Sequence, residues 1–149
     1  MVARACDAGD FPGEDKMTGI RKLAPVAAIA GAIVTLPFAA HAADVAAEIA
    51  NARMHAGLAA QGSSVAMVHT HLHHAINCLV GPGGNGFDPK ALNPCQGDGN
   101  GAIPDETDAA KKKALQAADD QATAGLAAND LAGAQKDASS VVSMLTNVK

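Results

Sequence analysis

The chain has 149 residues, a formal net charge of −4 and neither tryptophan nor tyrosine. A mildly acidic chain whose only run of basic residues is 111–113 lacks the positive surface that nucleic acids require, and it has few aromatic side chains on which bases could stack. We therefore expect no nucleic-acid partner.

The first 42 residues have the order of segments found in a secretory signal peptide. Basic residues at 16, 21 and 22 precede an apolar run at 26–36, and a small-residue box follows at 40–42. We predict a signal peptide at 17–42, cleaved after Ala42, preceded at 1–16 by an over-extended start or a leader. Pro25 and Pro37 bracket the apolar run and leave it too short to cross about 30 Å of hydrocarbon. The expected location is periplasmic or secreted, with no stable membrane span after cleavage.

Residues 43–149 are predicted to form a single helical domain that begins with a helical hairpin at 43–80. Apolar residues recur at steps of three and four over 43–60 and again over 65–80, which is the period of an amphipathic helix. Ser63 or Ser64 is the expected N-cap of the second helix, and the glycines from residue 81 onward end that helix.

The segment 81–104 is predicted to be a long loop rich in glycine, proline and asparagine. Cys78 precedes it and Cys95 lies within it, and an even number of cysteines in an exported domain favours a disulfide between them. The alternative is a free Cys78 thiolate that binds metal. Residues 98–101 resemble the start of a calcium-binding loop, but Ala102 and Ala109 stand at ligand positions of that template and Ile103 at its turn glycine, so a tight glycine turn is the better interpretation.

A second helical hairpin is predicted at 105–149. Asp105 or Thr107 is the expected N-cap of its first helix, and Asn129 or Asp130 that of the second. The segment AGLAA occurs near the end of the first helix of each hairpin, at 56–60 and 124–128, which suggests an internal duplication. The predicted fold is all-α, an antiparallel four-helix bundle built from two hairpins.

The sequence HTHLHH at 69–74 carries the chemistry of the chain, because neutral imidazole is a common ligand for transition metals. At about 100° per residue the four histidines divide into two pairs. His69 and His73 are one turn apart, and a hairpin would bring His55 to their height, with Glu48 two turns further along the first helix. The first predicted site is therefore His55, His69 and His73, completed by Glu48 or water, for Cu, Zn or Ni.

The second histidine pair is His71 and His74 on the other side of the same helix. A disulfide at Cys78 would draw the loop across this pair, either shielding it or supplying oxygen ligands. With a reduced Cys78, these histidines and Met67 would instead form a soft site suited to copper.

Alanine-rich helices, glycine turns and histidines at helical spacing resemble the small periplasmic metal-binding protein family. The resemblance implies a four-helix bundle that binds divalent metals, with His55, His69 and His73 as the matching positions. The family distributes histidines over all its helices, whereas here none follows His74. A metal site confined to the first hairpin, for metal buffering or tolerance, is the function that this resemblance implies.

We do not expect an enzyme, since the serines near the C-terminus have no histidine nearby in sequence and no G-x-S-x-G segment is present. The alternative function is that of a non-catalytic structural or interaction module with a disulfide-stapled loop. Such a module would depend on loop residues such as Phe87 and Leu92 and would need no metal.

Overall fold

The computed structural model describes residues 42–149, which lie within one compact unit. The predicted signal peptide and the segment before it fall outside these residues, apart from Ala42. Within 42–149 the chain forms five helices and no strand. They are α1 (Val45–Ala60), α2 (Val65–Val80), α3 (Ala102–Asp105), α4 (Ala109–Ala127) and α5 (Leu131–Thr146). No helix in the described part of the chain has the length and hydropathy needed to cross a membrane.

Side-chain caps determine where the long helices begin. Ser64 and Asp130 cap α2 and α5 by accepting backbone N–H bonds from the first turn, which confirms two predicted caps. The prediction for α4 was wrong, because Asp108 is its N-cap. Residues Ala102–Asp105 form the separate short helix α3, and the Asp105 carboxylate accepts hydrogen bonds from Asn100 instead.

The core lies between the four long helices. Helix α1 packs against α2 and α5, α4 packs against α5, and α2 also contacts α4, a set of contacts compatible with the predicted bundle. Helix α2 supplies large buried side chains such as Leu72, Ile76 and Leu79, whereas α1 buries mainly alanines. Small side chains let neighbouring helices approach closely, but they also bury less apolar surface for each residue.

The loop after α2 is held to the helices at several points. A disulfide joins Cys78 to Cys95, as predicted, with the Cα atoms 5.2 Å apart. The fully buried Asn77 amide donates to the carbonyls of Asp88 and Leu92 at 3.0 and 3.2 Å, and its oxygen accepts the Asp88 N–H at 2.9 Å. Sequence reasoning singled out the cysteine and missed this asparagine, whose bonds order the loop where it crosses the end of α2.

Gly81 lets the chain leave α2 at a close backbone contact. Its φ of 66° lies in the left-handed region, and a Cβ at this position would lie 1.5 Å from the carbonyl oxygen of Asn100. Only glycine fits both conditions. The two ends of the loop therefore meet beside the C-terminus of α2.

Candidate metal centre

Three imidazoles from two helices meet on one side of the α1–α2 pair. His55 lies five residues before the end of α1, and His71 lies six residues after the start of α2, so the short connection between the helices brings them to similar height. His74 is three residues beyond His71 and shares its helix face. The ring centroids are 5.0 Å apart for His55 and His74, 5.5 Å for His71 and His74, and 5.6 Å for His55 and His71.

The spacing of the ring nitrogens suits a metal ion. One nitrogen from each of His55, His71 and His74 lies within 4.8 Å of the other two. The Nδ1 atoms of His55 and His71 are 3.3 Å apart. A tetrahedral metal with M–N bonds of 2.0–2.1 Å places its ligand atoms about 3.3–3.4 Å from one another. The distance between His55 and His71 therefore already has the tetrahedral length.

Burial favours the neutral, metal-binding form of two of these imidazoles, His55 and His74. His55 is only 8% exposed, and burial lowers its pKa, with further lowering from the neighbouring His74 and His71. Burial also lowers the pKa of His74, helped by His71 and His73. The Nδ1 atom of His74 is buried and has no hydrogen-bond partner. Such an atom loses its bonds to water without gaining others, and a metal ion would supply the missing partner.

His69 and His73, which were predicted to join His55, lie elsewhere in the structure. The His69 Nε2 donates to the carbonyl of Ala128 at 3.2 Å, at the connection between α4 and α5. His73 lies near the loop, with its Nδ1 3.8 Å from a carboxylate oxygen of Asp88. The apolar stripe of α2 packs against α4 as well as α1, and this second contact turns the His69–His73 edge away from α1.

Glu48 does not complete the shell either. It lies seven residues before His55 on α1, a rise of about 10 Å along the helix. Its Oε1 accepts the N–H of Gly101 at 2.8 Å, so the carboxyl group ties the end of the loop to α1. Burial raises the pKa of Glu48 to about 7, opposed by the bond from Gly101 and assisted by the nearby carboxylates of Asp105, Asp98 and Asp44. Its Oε2 is buried without a partner.

The thiolate alternative is also resolved by the fold. Because Cys78 is bonded to Cys95, it is not available as a ligand for His71 and His74. Met67 remains on the same face of α2, one turn before His71, with its side chain 45% exposed. The predicted copper site had two sulfur ligands, Met67 and Cys78. Since Cys78 is in the disulfide, the Met67 thioether is the one that remains free.

The structure thus brings together one residue of the first predicted site and both histidines of the second. Comparison of the chain with protein-family models, with curated proteins and with solved structures gave no significant match.

Proposed function

We propose that this protein binds a divalent transition metal, Cu, Zn or Ni, through His55, His71 and His74, and that it serves to buffer the metal or protect against it. The observation that carries the proposal is the group of three imidazoles whose nitrogens lie within 4.8 Å of one another. Three histidines with an open fourth position form a donor set common for zinc and also suited to copper and nickel. Water or the Met67 thioether would fill that position.

A hydrogen bond between His55 and His71 would account for two of the rings without a metal. That bond leaves out the third ring, and the buried Nδ1 atom of His74 has no hydrogen-bond partner. Repulsion from the neighbouring rings also opposes protonation of His55 and His74, which favours the neutral form that binds metal. Both features favour a ligand shared by all three rings.

The proposal also includes export of the protein and a four-helix bundle architecture. The predicted signal peptide at 17–42 would deliver the protein to an oxidising compartment, and the Cys78–Cys95 disulfide fits such a compartment. The contacts among the long helices support an antiparallel four-helix bundle of the kind expected for the small periplasmic metal-binding proteins.

We infer a binding role and not a catalytic one. Ser139, Ser140 and Ser143 each donate their hydroxyl to the backbone carbonyl four residues earlier on α5. A serine that bonds its own helix in this way is not paired with a base that would activate it.

Calorimetric titration of the oxidised protein with Zn(II), Cu(II) and Ni(II) at pH 7.5 tests the site. The His55→Ala/His74→Ala variant should lose the sub-micromolar binding expected for the parent. The His69→Ala/His73→Ala variant is the matched control, because it removes two histidines outside the group and should retain the affinity. Equal affinity in the two variants, or no measurable binding by the parent, would exclude this site.

Acid should release the metal. Protons compete for the imidazole nitrogens, so affinity should fall as the pH drops through the range in which the histidines titrate. Repeating the titration at pH 5.5 measures the effect. An affinity unchanged from pH 7.5 would point to ligands other than histidine.

One observation favours the alternative of an interaction module. Leu92 is 63% exposed on the disulfide-tied loop, whereas Phe87 is half-buried and packs against the core. Loss of partner capture in a Leu92→Ser variant, with binding unaffected by metal removal, would favour the interaction module over the metal-binding protein.

A further inference from the structure

A groove separate from the histidine group runs between the glycine-rich loop, α3 and α4. It has a volume of about 900 Å³, and its walls include the apolar side chains of Val80, Pro82, Ile103 and Pro104. Polar side chains, among them Gln116 and Asp119, line it as well. A cavity of this size that combines apolar and polar side chains is within the range of sites for small organic molecules. None of the three clustered histidines lines it.

A buried carboxyl group forms part of the groove lining. Asp119 on α4 is only 7% exposed, and its Oδ1 is buried with no hydrogen-bond partner. Its Oδ2 accepts a single bond, from the side-chain amide of Gln116 at 3.3 Å. An unsatisfied buried oxygen is costly for the fold, so stability does not explain why an acidic side chain occupies this position. A donor supplied by a ligand would satisfy it.

The charge of the groove lining indicates what kind of hydrogen-bond donor a ligand would supply to Asp119. Asp119 and Asp120 are the titratable residues that line the groove within the described part of the chain, and no lysine, arginine or histidine joins them. Burial raises the pKa of Asp119 to about 6, assisted by the charge of Asp120 and opposed by the Gln116 bond. The carboxylate is therefore ionised at pH 7.5 and lacks a protein cation beside it.

The apolar walls argue against a bare metal ion. Calcium and magnesium take six or more oxygen ligands, many of them charged. In this groove the carboxylates of Asp119 and Asp120 are the charged groups among the described lining residues, and aliphatic side chains line it with them, so charged oxygens are fewer than such an ion usually takes. An organic cation carries its own apolar surface and does not need so many charged oxygens.

We propose that this groove binds a small organic ammonium compound, whose charged nitrogen donates a hydrogen bond to the Asp119 carboxylate and whose apolar body packs against Val80 and Ile103. The Gln116 side-chain amide donates a hydrogen bond to Oδ2 of Asp119 and so holds the carboxylate in place. Asp120 is exposed and contributes only to the general negative potential at the rim.

The probes are 2-phenylethylammonium and n-hexylammonium, each compared with the neutral alcohol of the same shape. Titrations of the oxidised protein at pH 7.5 should show saturable binding of the ammonium probes and binding of the alcohols weaker by about tenfold or more, because a neutral hydroxyl cannot form an ion pair with the carboxylate. Backbone amide resonances of Val80 and Ile103 should shift on addition of the ammonium probes, which places them in the groove.

Asp119→Asn is the critical variant, since it retains the shape of the side chain and removes a buried charge. We expect it to remain folded and to bind the ammonium probes about tenfold more weakly or worse. Asp120→Asn is the matched control and should bind within a few-fold of the parent. The His55→Ala/His74→Ala variant should bind the probes normally, so this site is tested independently of the metal site. Equal binding by the Asp119→Asn variant, or no saturable binding of either ammonium probe by the parent, would overturn the proposal.

Discussion

Replacing Glu48 by glutamine should stabilise the protein at neutral and alkaline pH and have little effect in acid. The Glu48 side chain is fully buried, and its pKa is raised from 4.5 to about 7. In the pH range between these values the folded chain keeps a proton that the unfolded chain releases. The free energy of unfolding therefore falls as the pH rises, and Glu48 is destabilising once it must ionise inside the fold.

The size of the effect follows from the two pKa values. Each pH unit between them lowers the free energy of unfolding by about 1.4 kcal/mol, so the total loss is about 3 kcal/mol by pH 8. Glutamine is neutral at every pH, and its carbonyl oxygen can still accept the Gly101 N–H. Its amide group replaces the unpartnered Oε2 and lies near the acidic side chains of Asp98 and Asp105, which can accept its hydrogens.

Urea unfolding at pH 5, 6, 7 and 8, in buffer with a chelator to remove bound metal, measures this difference. The Glu48→Gln variant should exceed the parent by less than about 1 kcal/mol at pH 5 and by about 3 kcal/mol at pH 8. Asp119→Asn is the matched control. Because the pKa of Asp119 is raised to only about 6, the stability that this variant gains over the parent should reach its plateau at a lower pH. A Glu48→Gln difference that stays constant from pH 5 to 8, or a variant less stable than the parent at pH 8, would refute the reasoning.

Three further changes test the fold. Replacing Cys78 and Cys95 by serine opens a loop closed over a sequence separation of 17 residues and should cost about 3 kcal/mol in urea unfolding; an unchanged midpoint would mean that the hydrogen bonds of the loop suffice. Gly81→Ala places a Cβ 1.5 Å from the Asn100 carbonyl oxygen on a left-handed backbone and should lower stability by about 2 kcal/mol or more, so an unaltered melting temperature would contradict the close contact. Asp130→Ala removes the N-cap of α5 and should cost about 1 kcal/mol by thermal unfolding, whereas Asp130→Asn should lose little; equal losses would argue against capping.

Much of the helical structure could be predicted because it depends on residues close in sequence. The predicted helix 65–80 coincides with α2, and α5 begins after the predicted cap Asp130. The start of α4 could not be placed in the same way, because Asp105, Thr107 and Asp108 are all suitable caps by residue type. The bonds from Asn100 to Asp105 decide between them, and these form only once the loop is folded.

The three clustered histidines are all among the predicted site residues, but the sequence divided them between two predicted sites. Sequence spacing correctly divides the histidines into two pairs, since helical geometry is local. It does not determine which pair faces α1, because that depends on how α2 is rotated when it packs against α1, α4 and α5 together. In the structure that rotation brings His71 and His74 to His55.

Local chemistry in the sequence therefore determined the long helices, two of their caps, the disulfide and the histidines available for metal. Only the tertiary structure decided the burial and the hydrogen-bond partners of individual side chains. It turned Glu48 from a predicted ligand into the anchor of a loop and placed Asn77 among the loop carbonyls that it orders. It also left Asp119 buried and unpaired in a groove. The physical reason is that burial and hydrogen-bond partners depend on residues distant in sequence, whereas helix formation and capping depend on neighbours within a turn.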